Sequence, residues 1–273
     1  MDRKAQIFLH IPKTAGTTLN RIIDRQYSPF EIFTIDPHRV KASSERLRQS
    51  SEQRRRRLRV VRGHLPYGIH EFLPQGATYI TMLREPVARV LSAYHFVLRR
   101  PLNPLHRKVI RERLRVEDCL RLFPERRNTQ CRFVAGIEDM SISDDRLLAK
   151  AQDHLAKAFS VVGISERFEE SLMLFSTAFG WDIPFYRNCR VAKVRPQIDP
   201  GTADMIREYN RLDLELYEFG KGLFEENLRT RQAAIREKLA AFRALPPPTI
   251  IRDFRSSTLQ LGRFLVNKVA SAV

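Results

Sequence analysis

Acidic residues, cysteines and long apolar runs are all scarce in this chain. Asp and Glu number 31 against 48 Lys and Arg, a formal net charge of +17. Such an imbalance speaks about partners and not about fold. It suits phosphates, sulfates, acidic glycans, nucleic acid or anionic lipid. The three cysteines, Cys119, Cys131 and Cys189, include no Cys-x-x-Cys pair. That argues against a disulfide framework and against a cysteine-type zinc site, and reduced thiols are expected. No window approaches the about 18 consecutive apolar residues of a membrane span. The early apolar run, Ile7 to Ile11, is too short for a signal-peptide core. The expected location is therefore cytoplasmic. The Walker A pattern Gly-x-x-x-x-Gly-Lys-Ser/Thr is missing, and no cluster of metal-ligand type stands out, so no metal is expected.

What remains is ordinary for a globular protein: 273 residues, 43% apolar and 29% charged. One or two domains are expected. Short β-branched or apolar runs predict strands at Gln6 to His10, Phe30 to Ile35, Leu58 to Val61, Ala77 to Leu83 and Phe159 to Ile164. Helical spacing predicts helices over Leu19 to Tyr27, Pro86 to Leu98, Phe168 to Phe179, Thr202 to Leu228 and Thr230 to Leu245. Strands alternating with helices predict an α/β fold with a parallel sheet, followed by a helical C-terminal extension. Pro246-Pro247-Pro248 marks a stiff break. It divides an expected catalytic domain, residues 1–245, from a helical tail, residues 246–273. The tail's apolar residues at helical spacing suit packing on the domain, on a second copy of the chain, or on a membrane surface.

The positive charge is concentrated. Residues 39–62 carry a net +8 and residues 99–132 a net +7. The run Arg54-Arg55-Arg56-Arg57 reads as a solvated face, or as part of an anion-binding surface beside a strand.

Two segments carry chemistry. The first is Ile7-Phe-Leu-His-Ile-Pro-Lys13-Thr14-Ala15-Gly16-Thr17-Thr18, a strand running through a small-residue turn into a helix. Unpaired N–H groups and the helix dipole make such an N-terminus a place for an oxyanion. Gly16 allows close backbone approach, the threonines add hydroxyls and Lys13 adds a full charge. The second is Thr81-Met-Leu-Arg84-Glu-Pro-Val-Ala-Arg89-Val-Leu-Ser92-Ala-Tyr94. Arg84 ends a strand, where ligands of open α/β sheets bind. Ser92 follows eight residues later, about two turns into a helix. The pair can clamp one phosphate, the Arg by a forked charge-assisted contact.

Together, IPKTAGTT and R-x-P-x-x-R-x-x-S-x-Y resemble the sulfotransferase superfamily. The form HIPKTAGTT is similar to its carbohydrate branch, which includes heparan sulfate 2-O- and 6-O- and chondroitin sulfotransferases. A bacterial member is expected. The resemblance covers about residues 6–220. It implies a P-loop-NTPase-like sheet and the donor 3′-phosphoadenosine 5′-phosphosulfate (PAPS), with 3′-phosphoadenosine 5′-phosphate (PAP) as product. It assigns Lys13, Thr14, Ala15, Gly16, Thr17 and Thr18 to the 5′-phosphosulfate, and Arg84 and Ser92 to the 3′-phosphate. It places Lys193 and Arg195 in a basic loop near donor or acceptor. Asn128, Gln130 and Arg132 resemble an Asn-x-Gln-x-Arg element of that branch. With Arg62 they are taken as acceptor contacts.

Sulfuryl transfer needs a base for the acceptor hydroxyl. His64, in Val-Val-Arg-Gly-His64-Leu-Pro, follows a predicted strand and is the first candidate, with Lys13 as its catalytic partner. A similar Gly-His carries the base in the 2-O- and 6-O-transferases. His70 and His95 are weaker candidates, and His10 reads as a structural partner of the loop. The expected reaction is in-line transfer to a hydroxyl of a carbohydrate or other anionic glycan-like acceptor, with no nucleic-acid partner. Two other readings fit the charge: a P-loop-type kinase, and a basic module that binds nucleic acid or another anionic surface without catalysis.

Overall fold

The structure, a computed structural model, describes residues 4–182 and 198–244. Cys189, Lys193, Arg195 and the tail from residue 246 lie outside the described residues. Five strands, β1 (Ala5–Leu9), β2 (Ile32–Ile35), β3 (Val60–Gly63), β4 (Ala77–Leu83) and β5 (Phe159–Ile164), form one sheet in the order β2-β3-β1-β4-β5. Every pairing is parallel. The helices are α1 (Gly16–Gln26), α2 (Val40–Gln49), α3 (Glu52–Arg57), α4 (Pro86–Leu98), α5 (His106–Arg111), α6 (Val116–Leu122), α7 (Thr129–Ala135), α8 (Asp144–Lys157), α9 (Phe168–Phe179), α10 (Pro200–Tyr209), α11 (Arg211–Thr230) and α12 (Gln232–Ala244). The expected P-loop-like α/β architecture and helical C-terminal region are both present.

Parallel strands covered on both faces read as continuous apolar runs. All five residues of β1 are buried, as are the last five of β4. Helices α9 and α11 both pack on β5. The approach of α11 is close: a Cβ on Gly220 would lie 2.4 Å from Leu83 Cδ1. A smaller apolar cluster, Val87, Val116, Leu120, Ala203 and Ile206, binds α4, α6 and α10 together beside the sheet.

One helix departs from the sequence expectation. The single helix expected over residues 202–228 is two helices, broken at Asn210. Asn210 is fully buried, and its side-chain oxygen accepts from the Asn128 amide instead of facing solvent. The Arg54–Arg57 run is, as a solvated face would be, exposed on α3 except at half-buried Arg55, and the Ser51 N-cap accepts from Arg54 N–H.

The topology positions the site. The chain leaves β1 toward β2 on one side of the sheet and leaves β4 toward β5 on the other. The crevice between such diverging connections, at the C-terminal strand ends, is where open α/β sheets bind ligands.

Candidate active site

Three adjacent strand ends converge there. Leu9 of β1 pairs with Gly63 of β3 and with Thr81 of β4. The residues that follow Leu9 and Gly63, His10 and His64, therefore stand side by side, with ring centroids 4.2 Å apart. The loop after β1 carries Lys13 to Ala15, and the peptide after β4 carries Arg84.

The β1–α1 loop is wound tightly. Thr14 is fully buried and its hydroxyl donates to the Ile11 carbonyl at 2.9 Å. Lys13 and Ala15 both adopt left-handed backbone, with φ of 74° and 65°. Non-glycine residues in that region store strain of about 1–3 kcal/mol each, and such strain gathers at ligand sites. Ala15 is also the N-cap of α1, without a side-chain cap and without an acidic residue in the first helical turn. A left-handed residue opening a right-handed helix turns consecutive N–H groups into one concavity, a nest for an anion. Helix α4 shows the contrast. Its first amides, Val87 and Ala88, are satisfied by the Glu85 carboxylate at 3.0 and 2.7 Å. Of these two helix starts, only that of α1 is left without a side-chain acceptor.

Gly16 is set by packing as well as by backbone. A Cβ there would lie 2.0 Å from two atoms of the His10 ring. That ring stacks on Phe8 at 5.3 Å and lies 4.2 Å from the His64 ring. His10 is buried, and desolvation, then the neighbouring His64, Arg62 and Lys13, hold its pKa well below the ordinary histidine value. It stays neutral under the loop, as expected of a structural partner.

His64 is half-buried, and its Nδ1 lies 2.7 Å from the His10 carbonyl oxygen. A carbonyl only accepts, so Nδ1 carries the proton and Nε2 keeps its lone pair. Burial lowers the His64 pKa, the bond to the His10 carbonyl partly opposes this, and Lys13 lowers it further. His64 is therefore a neutral imidazole with an acceptor nitrogen near pH 7.

Arg84 joins the loop to β4. Its NH1 donates to the Lys13 carbonyl at 3.0 Å, and its Nε lies 3.8 Å from Glu166. Lys13 reaches across to α4, where its Nζ sits 4.3 Å from the Phe96 ring centroid. Phe96 and Ser92 are one turn apart on the same helix, so the α4 face bearing Ser92 is the one that meets the loop. Arg100, exposed, approaches the same Phe96 ring at 5.6 Å. Phe96 gave no chemical signal in the sequence; its role is geometric.

The four acceptor candidates all have partners within the protein. Arg62 is 8% exposed, paired with Asp24 at 2.6 Å and bonded to Thr34 Oγ1 and the Asn20 carbonyl. It ties β3 to β2 and α1. Gln130 is fully buried and its amide grips the Arg84 backbone. Asn128, left-handed, precedes α7, and Arg132 donates to the Asp139 carbonyl. Among the weaker bases, His70 is bonded through Nδ1 to the Tyr79 hydroxyl, away from the loop. Among the described residues, no group of three or more His, Cys, Asp or Glu could hold a metal ion. No described helix is long and apolar enough to cross a membrane.

The sheet order and the strand–loop–helix at the switch point define a P-loop-like α/β protein. The chain belongs to the galactose-3-O-sulfotransferase family, whose model matches residues 2–247. It is a carbohydrate family, as the resemblance implied, but is named for galactose and not for heparan sulfate or chondroitin. Galactose-3-O-sulfotransferase 3 of Bos taurus is 28% identical over 261 residues, covering 85% of this chain and 60% of that protein. The Homo sapiens protein of the same name is also 28% identical over 261 residues, with 85% and 59% covered. The chain thus spans about 60% of the length of these curated relatives. Two solved structures show distant likeness. Mouse sulfotransferase SULT7A1 complexed with PAP has a TM-score of 0.38 and 17% identity, covering 78% of this chain and 67% of that one. A sulfotransferase from Alicyclobacillus acidocaldarius has a TM-score of 0.39 and 15% identity, covering 89% and 100%.

Proposed function

We propose that this chain transfers the sulfuryl group of PAPS to a hydroxyl of a carbohydrate acceptor, with His64 as base and Lys13 stabilising the departing charge. The observation that carries the reading is the row of strand ends at β3, β1 and β4. Around it stand the His64 imidazole, a helix start without a side-chain cap and Arg84. The family's name puts a galactose hydroxyl first among acceptors. The exposed Arg100 beside Phe96 and Lys13 suits an acceptor that also carries negative charge.

The residues fit the donor. The nest at Ala15–Gly16, with the Thr17 and Thr18 hydroxyls, would hold the 5′-phosphosulfate. Arg84 and Ser92 would hold the 3′-phosphate. When bound, PAPS supplies an activated sulfuryl group, and the new acceptor O–S bond forms as the S–O bond to phosphate breaks. His64 Nε2 takes the acceptor's proton, and Nδ1–H on the His10 carbonyl keeps the ring oriented as charge develops. The Lys13 ammonium balances the negative charge gathering on the phosphate oxygen.

The test is calorimetry with PAP, followed by turnover of labelled PAPS against galactosides, neutral and acidic. Binding of PAP together with sulfation of a saccharide hydroxyl is the expected result. No PAP binding, or binding without transfer to any saccharide, refutes it.

A further inference from the structure

A buried polar group outside the crevice lies between α4, α7 and α11. Asp213 of α11 is fully buried. One of its oxygens accepts from Gln130 N–H at 3.1 Å and the other from Cys131 N–H at 2.9 Å. These amides belong to the first turn of α7, whose N-cap Asn128 provides no side-chain cap. Asp213 therefore does from another helix what an N-cap does locally. Its charge is faced by Arg89 of α4, 4% exposed, with NH2 at 3.6 Å. The same NH2 reaches Asn210 Oδ1 at 3.4 Å, and that oxygen also accepts from Asn128 N–H. The α10–α11 break at Asn210 is thus part of the arrangement.

Gln130 carries it to the crevice. Its Oε1 accepts from Arg84 N–H at 2.9 Å, and its Nε2 donates to the Arg84 carbonyl at 2.9 Å. A primary amide is the side chain that offers a donor and an acceptor side by side. Both are used on the backbone of one residue, just past the end of β4, and Gln130 has no exposed surface left for an acceptor.

We propose that Asp213, through Gln130 on one arm and Arg89 on the other, sets the spacing between Arg84 and Ser92, and so decides how well a 3′-phosphate is gripped. Arg84 is held by Gln130, α4 with its Ser92 is held by Arg89, and both arms end on the same buried carboxylate. Gln130, Asp213 and Arg89 are positioning residues: Gln130 holds the Arg84 backbone, Arg89 ties α4 to Asp213, and Asp213 joins the two. The inference rests on the donor reading above and adds to it a device that tunes 3′-phosphate recognition separately from the 5′ end.

The experiment compares PAP with adenosine 5′-monophosphate, which differs from PAP by the 3′-phosphate alone. Wild-type protein is measured first. A preference for PAP is the donor reading's own requirement, and its absence would overturn that reading and this one together. Gln130→Met then removes both amide contacts at similar volume, and Gln130→Glu replaces the donor with an acceptor facing the Arg84 carbonyl. Each is expected to lower the PAP-over-monophosphate preference by about tenfold to a hundredfold, the worth of a displaced contact to a charged group. Affinity for adenosine 5′-monophosphate is expected to stay within about twofold of wild type, inside the scatter of a neutral change. In an Arg84→Ala background, the same changes should lower the preference no further. A wild-type preference that survives both Gln130 changes, an equal loss for the two nucleotides, or additive losses in the Arg84→Ala background would each overturn the proposal. A role confined to stability would lower the melting temperature and leave the preference of the folded protein intact.

Discussion

Replacing Gly16 with Ala tests the packing beneath the loop. The new Cβ would sit 2.0 Å from Cδ2 and Nε2 of His10 and 2.7 Å from Cε1. Carbon contacts settle at about 3.5–4.0 Å, so the ring or the loop must yield by about 1.5 Å or more. The ring cannot swing aside freely, because Phe8 stacks on it and His64 faces it at 4.2 Å. Overpacking of this kind costs about 1–3 kcal/mol. For a domain of this size that is a fall in Tm of about 2–12 °C. The displacement also reaches His64, whose Nδ1 is held by the His10 carbonyl, and the nest that opens α1. PAP affinity should therefore drop by about tenfold, the worth of one amide contact to a charged group. The control is Gly222→Ala on α11, where a Cβ meets nothing within 4 Å. There the change should stabilise by about 0.5–1 kcal/mol, the usual gain of Ala over Gly in a helix. Thermal melts and calorimetry on both variants decide the matter. A Gly16→Ala protein that melts no lower than wild type and binds PAP normally would refute the argument.

His64→Ala should lose about 10²–10⁴ in kcat, the usual contribution of a general base, while PAP affinity holds; unchanged turnover would remove His64 from the mechanism. The base must be neutral, and its pKa lies below the ordinary 6.5. The rise of kcat/KM with pH should therefore have its midpoint under 6.5, and a midpoint above that value contradicts the assignment. His10 bears on stability. Its folded pKa is lowered, so the unfolded chain binds the proton first. The stabilisation is fully present above about pH 6.5 and is lost as pH falls toward the folded value. Melts from pH 7.5 to 5.5 should show the fall, and His10→Gln should flatten it. Lys13→Ala should cut kcat more than it weakens PAP, and Lys13→Arg should restore only part, because a planar fork replaces a point charge; full turnover in Lys13→Ala would refute its role.

Local pattern alone determined much of this protein. The apolar runs at 77–83 and 159–164 are strands with the expected bounds, and the helices at 86–98 and 168–179 match residue for residue. Those signals are short-range: burial on both faces, helical spacing, Pro at a helix start, Gly at a helix end. The strand–turn–helix at β1 and α1 was legible for the same reason, since its parts are consecutive in the chain. Tertiary structure decided the rest. That His10, not another group, orients His64 follows from the β1–β3 register, which joins residues 54 apart. That Gln130 serves Arg84 and not an acceptor follows from its burial against the end of β4. That one helix became two at Asn210 follows from a buried side chain whose partners lie on α4 and before α7. Periodicity reports which face of a segment is apolar. It carries no information about which distant polar group will meet a buried amide or carboxylate, because that pairing exists only once the chain has closed around it.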